Sequence, residues 1–243
     1  MTVLTHAMVL AAGLGLRMRP LTLERPKPLI PVAGKPLLDH ALDRIDAAEI
    51  GTAVVNTHYK GEMIAAHLRD RARPRVVLSP EAELLETGGG IRKALPLLGS
   101  RPFLVVNADI LWLDGPTPAI TRLIDAWRPD VMDVLLLVNP TVSAIGYDGS
   151  GDFFMDPVGQ LTRRPKGRIA PFVFAGVHIV RPELYRHTPD DAFSNNLIWD
   201  RAAEAGRLYG IRHDGLWFHV GTPDTIGEVE ERLELSRPVH SES

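Results

Sequence analysis

Apolar and polar positions along the chain alternate between short strand-like runs and stretches with helical period. Val3–Leu10 reads as a first strand. Pro36–Ala48 reads as a helix that places Leu38, Leu42 and Ile45 on one face. Thr52–Val55 follows as a strand, Gly61–Arg69 as a helix with Ile64 and Leu68 inward, and Val76–Leu78 as a third strand. Gly88–Leu95 reads as a short helix stopped by Pro96. Phe103–Asn107 is continuously apolar up to its last residue, the pattern of a strand covered on both faces. Strands and helices in this order imply an α/β fold with a parallel sheet and right-handed crossovers.

After a fifth strand at Val131–Val138 the rhythm changes. Gly149–Gln160 is turn-rich, with a short strand around Phe153–Met155. Val173–Val180 reads as a strand and Leu197–Ala205 as a helix. Leu208–Arg212 and Leu216–Val220 are short strands separated by His213-Asp214-Gly215. A closing helix has Thr222 as N-cap, Pro223 at its first position, and Ile226, Val229 and Leu233 inward. Pro238–Ser243 is expected to fray. Neither a repeat nor a linker marks a boundary, so the 243 residues are expected to form one domain.

Charge adds a local feature. The net charge is −3, yet residues 1–35 hold Arg17, Arg19, Arg25, Lys27 and Lys35 against Glu24 alone, a local +4. That concentration coincides with glycines and suits a small polyanion better than nucleic acid in general. Cysteine is absent, which excludes disulfides, thiolate metal sites and cysteine nucleophiles. The sequence shows no basic-then-apolar leader and no apolar run near the ~20 residues of a membrane span. The expectation is a cytoplasmic protein with neither a membrane nor a nucleic-acid partner.

The cationic segment follows the first strand. Ligands in open α/β sheets bind beyond the C-terminal strand ends, where Leu10, Ala11, Ala12, Gly13 and Gly15 fall. Small residues there let a base or phosphate approach backbone N–H groups. Arg17 offers a planar guanidinium and Lys27 a point charge on a long stem. A dinucleotide-binding turn needs a third glycine where Met18 stands, and Pro20, Pro26 and Pro28 oppose the helix that would follow it. A P-loop motif is absent. A tight turn with solvated arginines is the plain alternative.

The longer string decides between these readings. Leu10-Ala11-Ala12-Gly13-Leu14-Gly15-Leu16-Arg17, then Pro20-Leu21-Thr22, then Pro26-Lys27-Pro28-Leu29, Pro31-Val32 and Gly34-Lys35-Pro36-Leu37 resembles the signature of the sugar-1-phosphate nucleotidyltransferases. The resemblance continues more loosely to Thr222-Pro223. It implies a Rossmann-like three-layer α/β/α sandwich with a mostly parallel, mixed central sheet. It also implies a nucleotide-binding half at 1–130 and a sugar-phosphate-binding half at 131–237. In such enzymes the glycine loop wraps the triphosphate, and the arginine and lysine stabilise charge; Arg17 and Lys27 stand in those places.

Asp109 follows the buried strand, where an unpaired carboxylate is costly and a cation partner expected; the alternative is a strand-end residue capping the next turn. The resemblance makes it a Mg²⁺ ligand. The second family ligand, an aspartate in W-x-D-V-G-T-P, is replaced here by His219 within Trp217-Phe218-His219-Val220-Gly221-Thr222-Pro223. Imidazole suits Mn²⁺ or another softer ion better than Mg²⁺. Three outcomes follow: His219 ligates such an ion, Asp109 and phosphates hold Mg²⁺ with His219 acting through water, or activity is impaired.

Leu84-Leu85-Glu86-Thr87-Gly88-Gly89-Gly90 resembles the family's base-recognition turn, with Glu86, Gly88 and Gly89 as nucleotide contacts. A flexible glycine hinge is the alternative. The Glu-Thr-Gly-Gly-Gly variant is most similar to the branch that uridylylates N-acetylmuramate 1-phosphate in peptidoglycan recycling. Asn139, Asp152 and Gly176 fall where relatives contact sugar and phosphate, with plain turn residues as the alternative; Arg163, Arg164, Lys166 and Arg168 form a basic cluster that reads as solvated hairpin charge, the alternative being contact with the sugar phosphate. The implied reaction joins a nucleoside triphosphate, expected to be UTP, to a sugar 1-phosphate with release of pyrophosphate. Guanylyl transfer to mannose or heptose 1-phosphate, thymidylyl transfer to glucose 1-phosphate, a silent nucleotide-sensing homologue and a monomeric or other assembly all stay open.

Overall fold

The computed structural model describes residues 3–235, so the expected frayed tail at 238–243 lies outside the described residues. Strands β1 (His6–Leu10), β4 (Thr52–Thr57), β5 (Arg75–Pro80) and β6 (Phe103–Asn107) pair in parallel in the order β5-β4-β1-β6. The intervening short strands β2 (Pro31–Val32) and β3 (Lys35–Pro36) make a separate antiparallel ribbon. Beyond β6, the antiparallel strand β12 (Phe172–Val180) joins β8 (Val134–Pro140), and β13 (Leu208–Arg212) lies parallel to β8. Strands β10 (Phe153–Met155) and β11 (Leu161–Arg163) form a hairpin against the first residue of β12. The sheet is mixed and mostly parallel, as expected.

Alternation along the strands produces two cores. Ala7 and Val9 of β1, Leu104 and Val106 of β6, and Leu135 and Leu137 of β8 face one side. There they meet α2 (Leu37–Ala47) through Leu38, Leu42 and Ile45, α3 (Gly61–Leu68) through Ile64 and Leu68, and α5 (Ala119–Ala126) through Ile120 and Leu123. Met8, Phe103, Val105, Val134 and Leu136 face the other side, against α4 (Glu86–Leu98) and α6 (Asn196–Glu204). Both faces are covered, giving three layers. The one-turn helix α1 (Leu21–Glu24) buries Thr22 alone.

Several boundaries differ from the sequence reading. Helix α4 begins at Glu86 and passes through Pro96, because a proline in the last turn removes a single intrahelical bond and Gly99 closes onto the Leu95 carbonyl. The fifth strand starts at Val134; Val131 is exposed. A strand not foreseen, β7 (Ile110–Leu113), pairs with β14 (Leu216–His219), which also lies parallel to β9 (Ala144–Ile145). Helix α7 (Asp224–Leu235) starts after the expected Thr222-Pro223. It buries Val229, with Ile226 and Leu233 half-buried, against Met18, Ile30, Val32, Leu111 and Phe218. The first cationic segment and the last helix thereby share one small core, and the Ala33 N–H donates to Glu230 Oε1 at 2.8 Å.

Candidate functional site

The C-terminal ends of β1, β4 and β6 open into a cleft of about 610 Å³. Leu10, Ala11, Ala12, Gly13, Gly15, Arg17, Lys27, Glu86 and Asp109 line it, so nine of the residues singled out from sequence meet in one place. Among the described residues, no protein acceptor takes the N–H groups of Gly13, Leu14 or Gly15, and a Cβ built on Gly13 meets nothing within 4 Å. The loop presents backbone donors to open space. Ala11 differs, because its N–H donates to Asn56 Oδ1 at 2.7 Å. Gly15 has φ +62°, and a Cβ there would lie 2.9 Å from Thr22 Cγ2 and 3.0 Å from Lys27 Cβ. The glycine therefore sets both the turn and the seat of the lysine.

Lys27 is buried and its Nζ donates to Asp109 Oδ2 at 2.8 Å. Burial pushes the Asp109 carboxyl up, but the charge and hydrogen bond of Lys27, helped by His219, outweigh it and hold the carboxyl below its ordinary value. Its side chain keeps 35% of its exposure, so water still screens the pair. The β7–β14 register places His219 opposite Ile110, the neighbour of Asp109. Desolvation lowers the His219 pKa against the pull of Asp109, with Lys27 and Arg17 lowering it further. The neutral ring lies parallel to Trp217 and its Nδ1 faces the Gly146 carbonyl at 3.3 Å. Donation from Nδ1 leaves the lone pair on Nε2.

This donor set bears on the expected metal. Among the described residues there is no cluster of three or more His, Asp or Glu side chains able to hold an ion alone. One carboxylate beside a neutral imidazole fits an ion carried largely by substrate phosphates and water, the usual manner of Mg²⁺. It does not fit an all-protein cage.

The other expected residues are placed differently. Gly88 and Gly89 lie behind the cleft wall, not on it, and both amides donate to the Phe193 carbonyl, at 2.9 and 3.1 Å. A Cβ on Gly88 would fall 2.3 Å from Phe193 Cε2, so close packing explains that glycine. Asn139 is buried and donates to the Pro140 carbonyl, and Asp152 Oδ2 accepts the Phe174 N–H. Gly176, at φ +82°, lies in the β12 irregularity against Ile110 and Asn107. None of these three lines the cleft. Arg163 pairs with Asp200 and covers the Phe153 ring, while Arg164 donates to the Gly151 and Arg168 carbonyls. Asn56, Asn107, Thr87 and Ser194 also line the cleft and were not singled out. Asn56 and Asn107 lie at the ends of β4 and β6, so the strand-end rule that selected Leu10 would have found them.

No helix among the described residues is long and apolar enough to cross a membrane. Residues 6–235 match the family model described as nucleotidyl transferase. A protein named N-acetylmuramate alpha-1-phosphate uridylyltransferase from Caulobacter vibrioides is 47% identical over 232 residues, covering 93% of this chain and 96% of that one. A protein of the same name from Neisseria meningitidis serogroup B is 36% identical, covering 92% and 96%. The crystal structure of UDP-glucose pyrophosphorylase complexed with UDP-glucose superposes with a TM-score of 0.78 at 15% identity, covering 97% of this chain and 100% of that one. That last likeness speaks for the fold.

Proposed function

The chain belongs to the nucleotidyl transferase family, and we propose that it transfers a uridylyl group from UTP to N-acetylmuramate 1-phosphate, releasing pyrophosphate. The observation that carries the substrate assignment is the 47% identity to the Caulobacter uridylyltransferase along nearly the whole of both chains. The cleft supplies what that chemistry needs. It has open loop amides, an exposed guanidinium at Arg17 and a buried ammonium at Lys27 within one cavity.

A phosphate oxygen of the sugar 1-phosphate attacks the α-phosphorus of UTP in line. The new P–O bond forms as the bond to the bridging oxygen of the leaving pyrophosphate breaks. The nucleophile is already an anion, so no side chain has to take a proton. Catalysis then consists of positioning and charge stabilisation. The amides of residues 13–15 and Arg17 hold the triphosphate and neutralise the departing pyrophosphate. Lys27 supports the α-phosphate where charge builds up, and Asp109 fixes the direction of its ammonium. Leu84, Glu86 and Thr87 line the side of the cleft that would receive the base. A divalent ion, Mg²⁺ or Mn²⁺, would be held by Asp109 together with substrate phosphates, with His219 close by; when bound it withdraws charge from the phosphates. Asn139, Asp152 and Gly176 belong to the sugar half in this reading.

Pyrophosphate release, measured for UTP, GTP, dTTP, CTP and ATP against N-acetylmuramate, N-acetylglucosamine, mannose and glucose 1-phosphates, tests the assignment. UTP with N-acetylmuramate 1-phosphate is expected to give the highest kcat/KM. A tenfold preference for GTP with mannose 1-phosphate would refute the substrate, and no turnover with any pair would refute the enzyme.

A further inference from the structure

Behind the glycine loop lies a polar relay with no part in the phosphoryl chemistry. Asn56 lies at the end of β4 and Glu81 follows β5; both are buried, at 3% and 6% exposure. Asn56 Oδ1 accepts the Ala11 N–H at 2.7 Å. Its Nδ2 donates to Glu81 Oε1 at 2.7 Å, and Glu81 Oε2 accepts the Leu85 N–H at 3.1 Å. The amide orientation follows from this pattern, since an oxygen must face the Ala11 donor and a nitrogen the carboxylate. Among the described residues Glu81 forms no ion pair. A buried carboxylate without a counter-ion is expensive, and an apolar pair of similar size would serve packing better.

Space is made for the pair. A Cβ on Gly90 would stand 2.6 Å from Glu81 Oε1 and 2.8 Å from Asn56 Nδ2, so the third glycine of the Gly88-Gly89-Gly90 run is a seat for this relay. At one end the relay holds Ala11, where the phosphate-side loop leaves β1. At the other it holds Leu85, between the cleft-lining residues Leu84 and Glu86 on the base side.

We propose that Asn56 and Glu81 are a positioning pair that sets the distance between the phosphate-side loop and the base-side turn, and so governs nucleoside triphosphate binding. The inference rests on the reading that this cleft takes the nucleotide. Glu81 touches no substrate; it acts through Asn56 and Leu85.

The test reverses the polarity of the pair. Glu81→Gln sets one amide nitrogen against an N–H donor, and Asn56→Asp sets two carboxylates together. In the double variant the new carboxylate at position 56 accepts from the Ala11 N–H and from the new side-chain amide at position 81. The oxygen of that amide accepts from the Leu85 N–H, so every bond is restored. Each single variant is expected to raise KM for the triphosphate about 10- to 100-fold, with KM for the sugar 1-phosphate within about twofold, and the double variant to recover most of the loss. A purely structural role predicts a lowered Tm in each single variant and both KM values rising together, with both recovering in the double variant, and that result overturns the proposal. So does a triphosphate KM unchanged in Glu81→Gln. If Asn56→Asp does not fold, Glu81→Gln and the double variant carry the comparison. If the wild type turns over no substrate pair, the proposed function fails, and direct titration of UTP with the same proteins still decides the pair.

Discussion

Replacing Lys27 with Met separates the roles of the buried ammonium. Met keeps an apolar stem of similar reach beneath Gly15, so the loss is chiefly the charge at 2.8 Å from Asp109. Removing one partner of a fully buried pair costs about 3–5 kcal/mol because the survivor stays desolvated. Lys27 retains 10% of its side-chain exposure but Asp109 retains 35%, so water recovers much of that cost. An expected loss of ~1–2 kcal/mol corresponds to ~2–8 °C in Tm for a chain of this size.

The pH dependence identifies the source. The Asp109 carboxyl is held below its unfolded value, so its contribution is complete above the ordinary carboxylate range and disappears as pH falls through the folded pKa. The Tm gap between wild type and variant should therefore be widest near pH 7 and close at acid pH, below about 4. Turnover should fall more steeply than stability, by about 10²–10³, if the ammonium supports charge in the transition state. Thermal melts from pH 3 to 8 and pyrophosphate release at pH 7 measure both. Turnover within tenfold of wild type, or a Tm gap independent of pH, would refute the reasoning.

Three further outcomes follow from particular side chains. His178 is fully buried with its pKa lowered to about 3 by desolvation, so the unfolded chain takes up its proton first; wild-type stability should decline from about pH 6.5 towards pH 3, and His178→Leu should flatten that decline in urea titrations. Gly15→Ala puts a methyl against Thr22 and Lys27 at positive φ, so it should cost about 1–3 kcal/mol and raise KM for the triphosphate; an unchanged KM would mean that the loop does not hold it. His219→Asp restores a second hard ligand beside Asp109, so the ratio of Mg²⁺- to Mn²⁺-supported turnover should rise several-fold, and an unchanged ratio would separate His219 from the metal.

What the sequence disclosed depends on how far apart the interacting residues lie along the chain. The apolar runs and helical periods that gave the order of strands and helices are local, whereas the three layers were implied by the resemblance, and the split of Ala7 and Val9 from Met8 emerges only in the packing. The cationic loop was likewise legible, because Gly13, Gly15, Arg17 and Lys27 are close in sequence. Asp109 was found by its place at a strand end, but the bond to Lys27 crosses 82 residues and left no local trace. The base-side turn shows how distant packing overlays a local signal. A glycine run invited contact with a ligand, yet Gly88 accommodates Phe193 and Gly90 accommodates Glu81, both brought in by packing from outside the run. The flanking Leu84, Glu86 and Thr87 reach the cleft instead, and Glu86 does so at φ +58°, a conformation uncommon in a residue with a side chain. Glycine in that run marks where other parts of the protein press against the helix start. Glu86, at positive φ before the run, lines the cleft wall, and Gly88 and Gly89 do not.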